Sequence, residues 1–325
     1  ADDGRVYLMA GGQHNSVVRV DGFEKMVRLN GAFTVTAEDL AAARTWQARA
    51  ATLRRAVEIP KIARVSRADQ YSVAIDGALD EWVAVPFLPI REQEVEGKGV
   101  VVMEAAAVAF DEERLYVAAR GTGPMLNSAA ELRALFHGGD ALDVCMGLDP
   151  RADVGRSQPV AGDFRLVFAR KKGGPVVAAL YRPATPDTPE GRRQRYYSAA
   201  GGEVVMDVVA PVPEAMIVVQ SAAGGWTLEA SLPWKSLGAA SPEDGVRLRG
   251  DVGVLHGDQN SLRTVERFYW AGKSQTCVSD EPTEARITPA LWGEFMVLRD
   301  AAAQVLVAPA GAEAPATPPG WDLNP

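Results

Sequence analysis

The residue that most invites a chemical reading is an acid in the middle of a strand. In GGDALDVCMGLDP, residues 138–150, Leu142, Val144, Met146 and Leu148 alternate as one apolar face, so Asp143 and Cys145 point to the other side. A carboxylate there needs water or a partner. Other chemistry-bearing types are sparse. The two cysteines, Cys145 and Cys277, lack metal-ligand spacing and read as two buried thiols or one disulfide. The three histidines are His14, His137 and His256, and no HExxH, GxSxG, Walker A or GxGxxG stands in a suitable context. Their absence weakens the case for an enzyme without closing it, and the chain alone is expected to be none.

The elements that must hold Asp143 are strands. From Tyr71 to about Leu298 period-two runs recur: Leu115, Val117 and Ala119; Leu142 to Leu148; Phe164, Leu166 and Phe168; Trp226, Leu228, Ala230 and Leu232. RKKGGPV (170–176) and SAAGGWT (221–227) are Gly-Gly hairpin turns, and Ser128–Phe136 is the one short helical candidate. Many short strands with such turns predict an all-β chain, an antiparallel β-sandwich or barrel.

Four segments are expected. Residues 1–35 form short strands separated by Gly/Asn/Asp turns and resemble one closing repeat of a β-propeller. Residues 36–70 hold a linker helix and connection: Thr36 and Asp39 make a capping box, and Ala43, Trp46, Ala50, Leu53 and Val57 an apolar stripe ended by Pro60. Residues 71–302 carry the sandwich, and 303–325 a Pro/Ala-rich tail. The net charge of −8 argues against a nucleic-acid surface, and no apolar run is long enough for membrane insertion. The start at Ala1-Asp2-Asp3 fits a mature chain relieved of its signal, or a piece of a larger parent chain.

The order of motifs in the β region carries a resemblance. AIDGALDEW (74–82), VAFDEERLYVAAR (108–120), GGDALDVCMGLDP, DFRLVFARK (163–171), GWTLEASLPWKSLG (225–238), GDVGVLHGD (250–258) and ITPALWGEFMVLR (287–299) follow one another as in family 9 carbohydrate-binding modules, within the DOMON-like sandwiches. The resemblance covers about residues 71–300. It implies a non-catalytic carbohydrate-binding module of a secreted protein, extracellular or periplasmic, whose partner is a saccharide or polysaccharide.

Such modules hold sugar units between two tryptophans, with polar groups on the hydroxyls. Carried over, the family's acid falls on Asp143 and its arginine on Arg165. If their strands pair across a loop centred near Val154, the two come opposite each other and offer acceptors and donors to a polyol. The same pair serves equally as a structural ion pair. A solvent-filled concavity rimmed by His137, Trp270 or Arg286 would favour a ligand; burial by other side chains would make the pair structural and count against saccharide binding. The clamp tryptophans are replaced by His137 and Arg286, with Phe136, Tyr269 and Trp270 as nearby aromatic substitutes. Arg267, Trp270, Lys273 and Arg286 are expected on a ligand-touching loop surface. No cofactor is required; Asp149, Asp153 and Asp163 are candidate ligands for a structural calcium. Two other functions stay open: a haem b domain using Met125, Met146, His137 or His256, and an architectural unit of a surface protein.

Overall fold

Alternation places the side chains of each strand on two faces, and the chain uses both. The computed structural model describes residues 74–199, 201–222, 224–271 and 280–298, together with the backbone of three further strands at 7–10, 16–19 and 62–67. The chain divides into two units, 1–61 and 62–325. In the first, β1 (Tyr7–Ala10) and β2 (Ser16–Arg19) form an antiparallel hairpin, from Tyr7↔Arg19 to Ala10↔Ser16. The expected linker helix, the Pro/Ala-rich tail, Lys273 and Cys277 lie outside the described residues.

The second unit begins with β3 (Ile62–Arg67), within the stretch read as a connection. It continues with β4 (Leu88–Val95), β5 (Gly99–Phe110), β6 (Arg114–Thr122), β7 (Ala141–Gly147), β8 (Asp163–Arg170), β9 (Val176–Arg182), β10 (Gln194–Ser198) and β11 (Gly202–Met206). Then come β12 (Val208–Pro211), β13 (Met216–Ala222), β14 (Gly225–Pro233), helix α1 (Trp234–Leu237), β15 (Arg247–Gly257), β16 (Thr264–Tyr269), helix α2 (Glu281–Ala285) and β17 (Gly293–Leu298). The ladder runs β12-β9-β8-β7-β15-β17-β3-β5-β6-β14-β13, with β16 beside β15 and β4 beside β5. Among the described strands, only the pairings of β3, with β17 and β5, are parallel.

This ladder folds on itself as an antiparallel β-sandwich. Leu142, Val144, Met146, Leu166, Phe168 and Leu180 from one layer share a core with Val108, Val117, Leu228, Ala230 and Leu232 from the other. That gathering of apolar surface is the main drive for the fold. The strand β15 joins the layers. It pairs with β7 along one edge, while its other edge is shared between β17 (Arg247–Gly250) and β16 (Gly253–Gly257).

The two outer faces are also covered. Behind β5 and β6, Trp82 packs on Ala107, Ala109 and Ala118, its indole N–H donating to Glu229 at 2.7 Å. Behind β7, β8 and β9, Ala141, Cys145, Val167, Ala179 and Tyr181 meet Leu135, Phe136, Tyr196, Met206, Ala285, Ile287 and Trp292. A third layer thus lies over the face that carries Asp143. The helix expected over Ser128–Phe136 is instead a loop with one 3-10 turn, Leu132–Ala134. Buried Asn127 explains it: its amide donates to the carbonyls of Leu135 and Asp140 and its oxygen accepts from Ala129 N–H. These bonds close the loop in place of a helical ladder.

Candidate functional site

The strands β7 and β8 pair Asp143↔Val167 and Cys145↔Arg165. Their loop is centred on Gly155, one residue later than expected. Asp143 and Arg165 therefore share the outer face but stand diagonally, two positions apart. The arginine reaches back: Nε donates to Oδ1 of Asp143 at 2.9 Å and Nη2 to Oδ2 at 2.7 Å, a bidentate fork.

That pair is the centre of a closed network. The third arm of Arg165, Nη1, donates to the carbonyl of Glu284 at 3.0 Å. The Tyr269 hydroxyl donates to Asp143 Oδ2 at 2.6 Å. Arg267 donates to the Phe136 carbonyl at 2.6 Å and pairs with the Glu284 carboxylate. The Arg165 guanidinium lies 4.9 Å from the Phe136 ring centroid. Asp143 and Arg165 both have 0% exposure. Burial alone would lower the Arg165 pKa; the Asp143 carboxylate outweighs it, and the net displacement is upward. Burial and the charge of Asp143 push Tyr269 well above its ordinary value. The pair stays ionised and is satisfied internally, which is the geometry of a structural ion pair.

The remaining candidates divide by exposure. Trp270 is a core residue, its ring 5.8 Å from that of Phe295, and forms no loop surface. Arg267 is likewise buried by its bonds to Phe136 and Glu284. Phe136 and Tyr269 are buried too, so neither replaces a clamp aromatic. His137 and Arg286 do reach the surface. His137 Nε2 lies 3.4 Å from Glu281 Oε1, and Arg133 Nη2 lies 3.7 Å from the same oxygen. Arg286 is exposed and donates to the Gly201 carbonyl at 2.8 Å.

Arg133 and Glu281 complete this rim without having been marked in the sequence, and Tyr197 stands on the neighbouring hairpin. Arg133 lies over the Tyr196 ring at 4.7 Å and donates to the Arg195 carbonyl. Glu281 opens α2, whose N-cap Asp280 accepts from Thr283 N–H. Tyr197, 73% exposed, stands on β10, where alternation sends its neighbour Tyr196 inward and itself out. Alternating polarity could have flagged that hairpin; nothing local in sequence joins it to α2.

The three candidate calcium ligands are spread over separate roles. Asp163 is buried and held by Arg156 at 2.6 and 3.2 Å. Asp149 and Asp153 accept from the backbone of Arg151 and Gly155, closing their own turns. Among the described residues no group of three or more His, Cys, Asp or Glu is placed to hold a metal ion. The haem candidates are also separated. Met125 and Met146 lie in the core between the layers. His256 is engaged by Glu104 at 2.9 Å and stands 4.0 Å from Asp140. Cys145 is buried, its thiol 3.7 Å from Asp143 Oδ1.

The fold is an antiparallel β-sandwich, and the solved structures it is similar to include family 9 carbohydrate-binding modules. Among solved structures, such a module from Caldicellulosiruptor kristjanssonii in complex with glucose is 16% identical, with a TM-score of 0.43, over 73% of this chain and 95% of that one. A module of that family from the same organism in complex with cellotriose is 17% identical, with a TM-score of 0.44, over 78% and 100%. No family model matches the sequence, and no curated protein does.

Proposed function

We propose that the sandwich is a non-catalytic saccharide-binding module of a larger extracellular or periplasmic protein that acts on or adheres to polysaccharide. The ligand surface is the rim over the third layer: Arg133, His137 and Glu281 with exposed Tyr197 and Arg286. The observation that carries this reading is the half-exposed assembly of Arg133, His137 and Glu281 beside the β10–β11 hairpin, whose outer face presents Tyr197. A Tyr face covers the C–H side of a pyranose, while the ionic groups bind hydroxyls. Asp143 and Arg165 act from beneath as positioning residues, anchoring α2 through the Glu284 carbonyl.

Binding from so open a surface is weak, about −4 to −6 kcal/mol. A glycan array followed by calorimetry tests it: Tyr197→Ala and Glu281→Gln should each weaken the best glycan five- to tenfold with an unchanged melting temperature. No bound glycan, or variants that bind like the parent, would sink the proposal. The second reading, an architectural unit, is supported by the closure of the Asp143–Arg165 pair beneath α2; those negative outcomes would favour it.

A further inference from the structure

The opposite end of β9 raises a separate question. Along this strand Ala178 and Leu180 face the core between the layers, and Tyr181 faces outward. Alternation therefore aims Arg182 at the inter-sheet side, where a cation is costly without a partner. Arg182 is half-buried, and its guanidinium makes no hydrogen bond or ion pair with a described residue.

What it meets is a cavity of about 450 Å³ at the open end of the sandwich. Leu148, Val246 and Leu248, the last of the core-facing residues, make its apolar wall. Ser241 lines it too, and the exposed Asp149, Arg151 and Glu243 stand around it. The chain also makes room for the guanidinium. Gly238 ends α1 at φ +62°, and a Cβ there would stand 2.3 Å from Arg182 Nη1. The cavity volume falls in the range of small-molecule sites, and its lining is divided about evenly between apolar and polar surface.

We infer that this end cavity binds the carboxylate of a sugar acid, a hexuronate unit. The planar fork of Arg182 matches a carboxylate in bidentate geometry. Leu148, Val246 and Leu248 cover the C–H face of the ring, and Ser241 and Asp149 take hydroxyls. The choice of a sugar ring rests on the saccharide reading; the anion site does not, since it follows from the unpartnered guanidinium. The mouth residues Arg151, Asp149 and Glu243 carry one net negative charge, so the anion is held at the inner arginine, against the apolar wall and away from the two carboxylates.

The test is an NMR titration of the full chain with D-glucuronate, D-glucose and sulfate. Glucuronate should shift amides at 148–151, 182 and 238–248 with a millimolar constant, and glucose should leave them in place. Arg182→Met should weaken glucuronate at least tenfold, while Arg182→Lys, which keeps the charge and loses the fork, should weaken it less. Melting temperatures of both variants establish that they fold. Equal shifts from glucose, equal affinity for sulfate, or undiminished binding by Arg182→Met would each overturn the inference. Tyr197→Ala and Glu281→Gln should leave these shifts unchanged, so the failure of the rim and of the cavity are read separately.

Discussion

At the residue scale, Asp143 stabilises the fold through a network that no single strand contains. Removing one partner of a buried ion pair leaves the other charge uncompensated and costs about 3–5 kcal/mol. Asp143→Ala and Arg165→Ala should each lower unfolding free energy by that order in urea, and the double variant should cost much less than the sum. A second buried carboxylate gives a pH signature. Burial would raise Glu104, but the hydrogen bond and charge of His256, with two bonds from Thr122, prevail and hold its carboxyl below the ordinary range. Its contribution is complete above the ordinary carboxylate value, about 4.3, and disappears as pH falls through the lower folded value. Glu104→Gln should begin less stable than the parent and lose less stability between about pH 5 and pH 3, read from urea midpoints. The facing of Asp143 and Cys145 was legible from alternation alone. Tyr269, Arg267 and Glu284, which close around the pair, were not, because they arrive from more than a hundred residues away.

At the element scale, β15 is where the site is assembled. Its inner face carries Leu248, Val252 and Val254, with Gly250 beneath Phe295. On its outer face Gly253 stands directly between Asp143 of β7 and Tyr269 of β16. A Cβ at Gly253 would lie 2.4 Å from Tyr269 Cδ1 and 2.8 Å from the Phe268 carbonyl. The missing side chain lets the tyrosine ring cross the strand and bond the carboxylate. Gly253→Ala should cost about 1–3 kcal/mol in urea unfolding, and Tyr269→Phe should add little to it, since the hydroxyl bond is already displaced. Strand identity was readable in GDVGVLHGD and GGDALDVCMGLDP, because the period of two is set by geometry within the strand. Register was not. The β7–β8 loop closes one residue later than the residue types suggested, and the Arg165 side chain spans the difference. The false helix at Ser128–Phe136 has the same origin: Asn127, one residue upstream, satisfies the loop carbonyls from outside the helical period.

At the scale of the molecule, the limit of the sandwich is decided by pairing rather than by composition. The motif series begins at AIDGALDEW, which places the boundary near Tyr71, yet β3 lies upstream at Ile62–Arg67. It fills the seam between the layers, pairing in parallel with β17 from Ile62↔Glu294 to Ser66↔Leu298 and with β5 at Ser66↔Ala109 and Arg67↔Phe110. Six residues so far from their partners, in a stretch rich in Arg, give no local sign of joining a sheet. Without β3, β17 loses its partner on that side and the backbone groups along that edge have to find water. A chain beginning at Glu58 should therefore unfold cooperatively with a urea midpoint close to that of the full sandwich. A chain beginning at Tyr71 should be less stable by several tenths to a few kcal/mol, with faster amide exchange along Gly293–Leu298. Equal midpoints and unchanged exchange at β17 would mean that β3 is dispensable and that the seam closes through β15 and β17 alone.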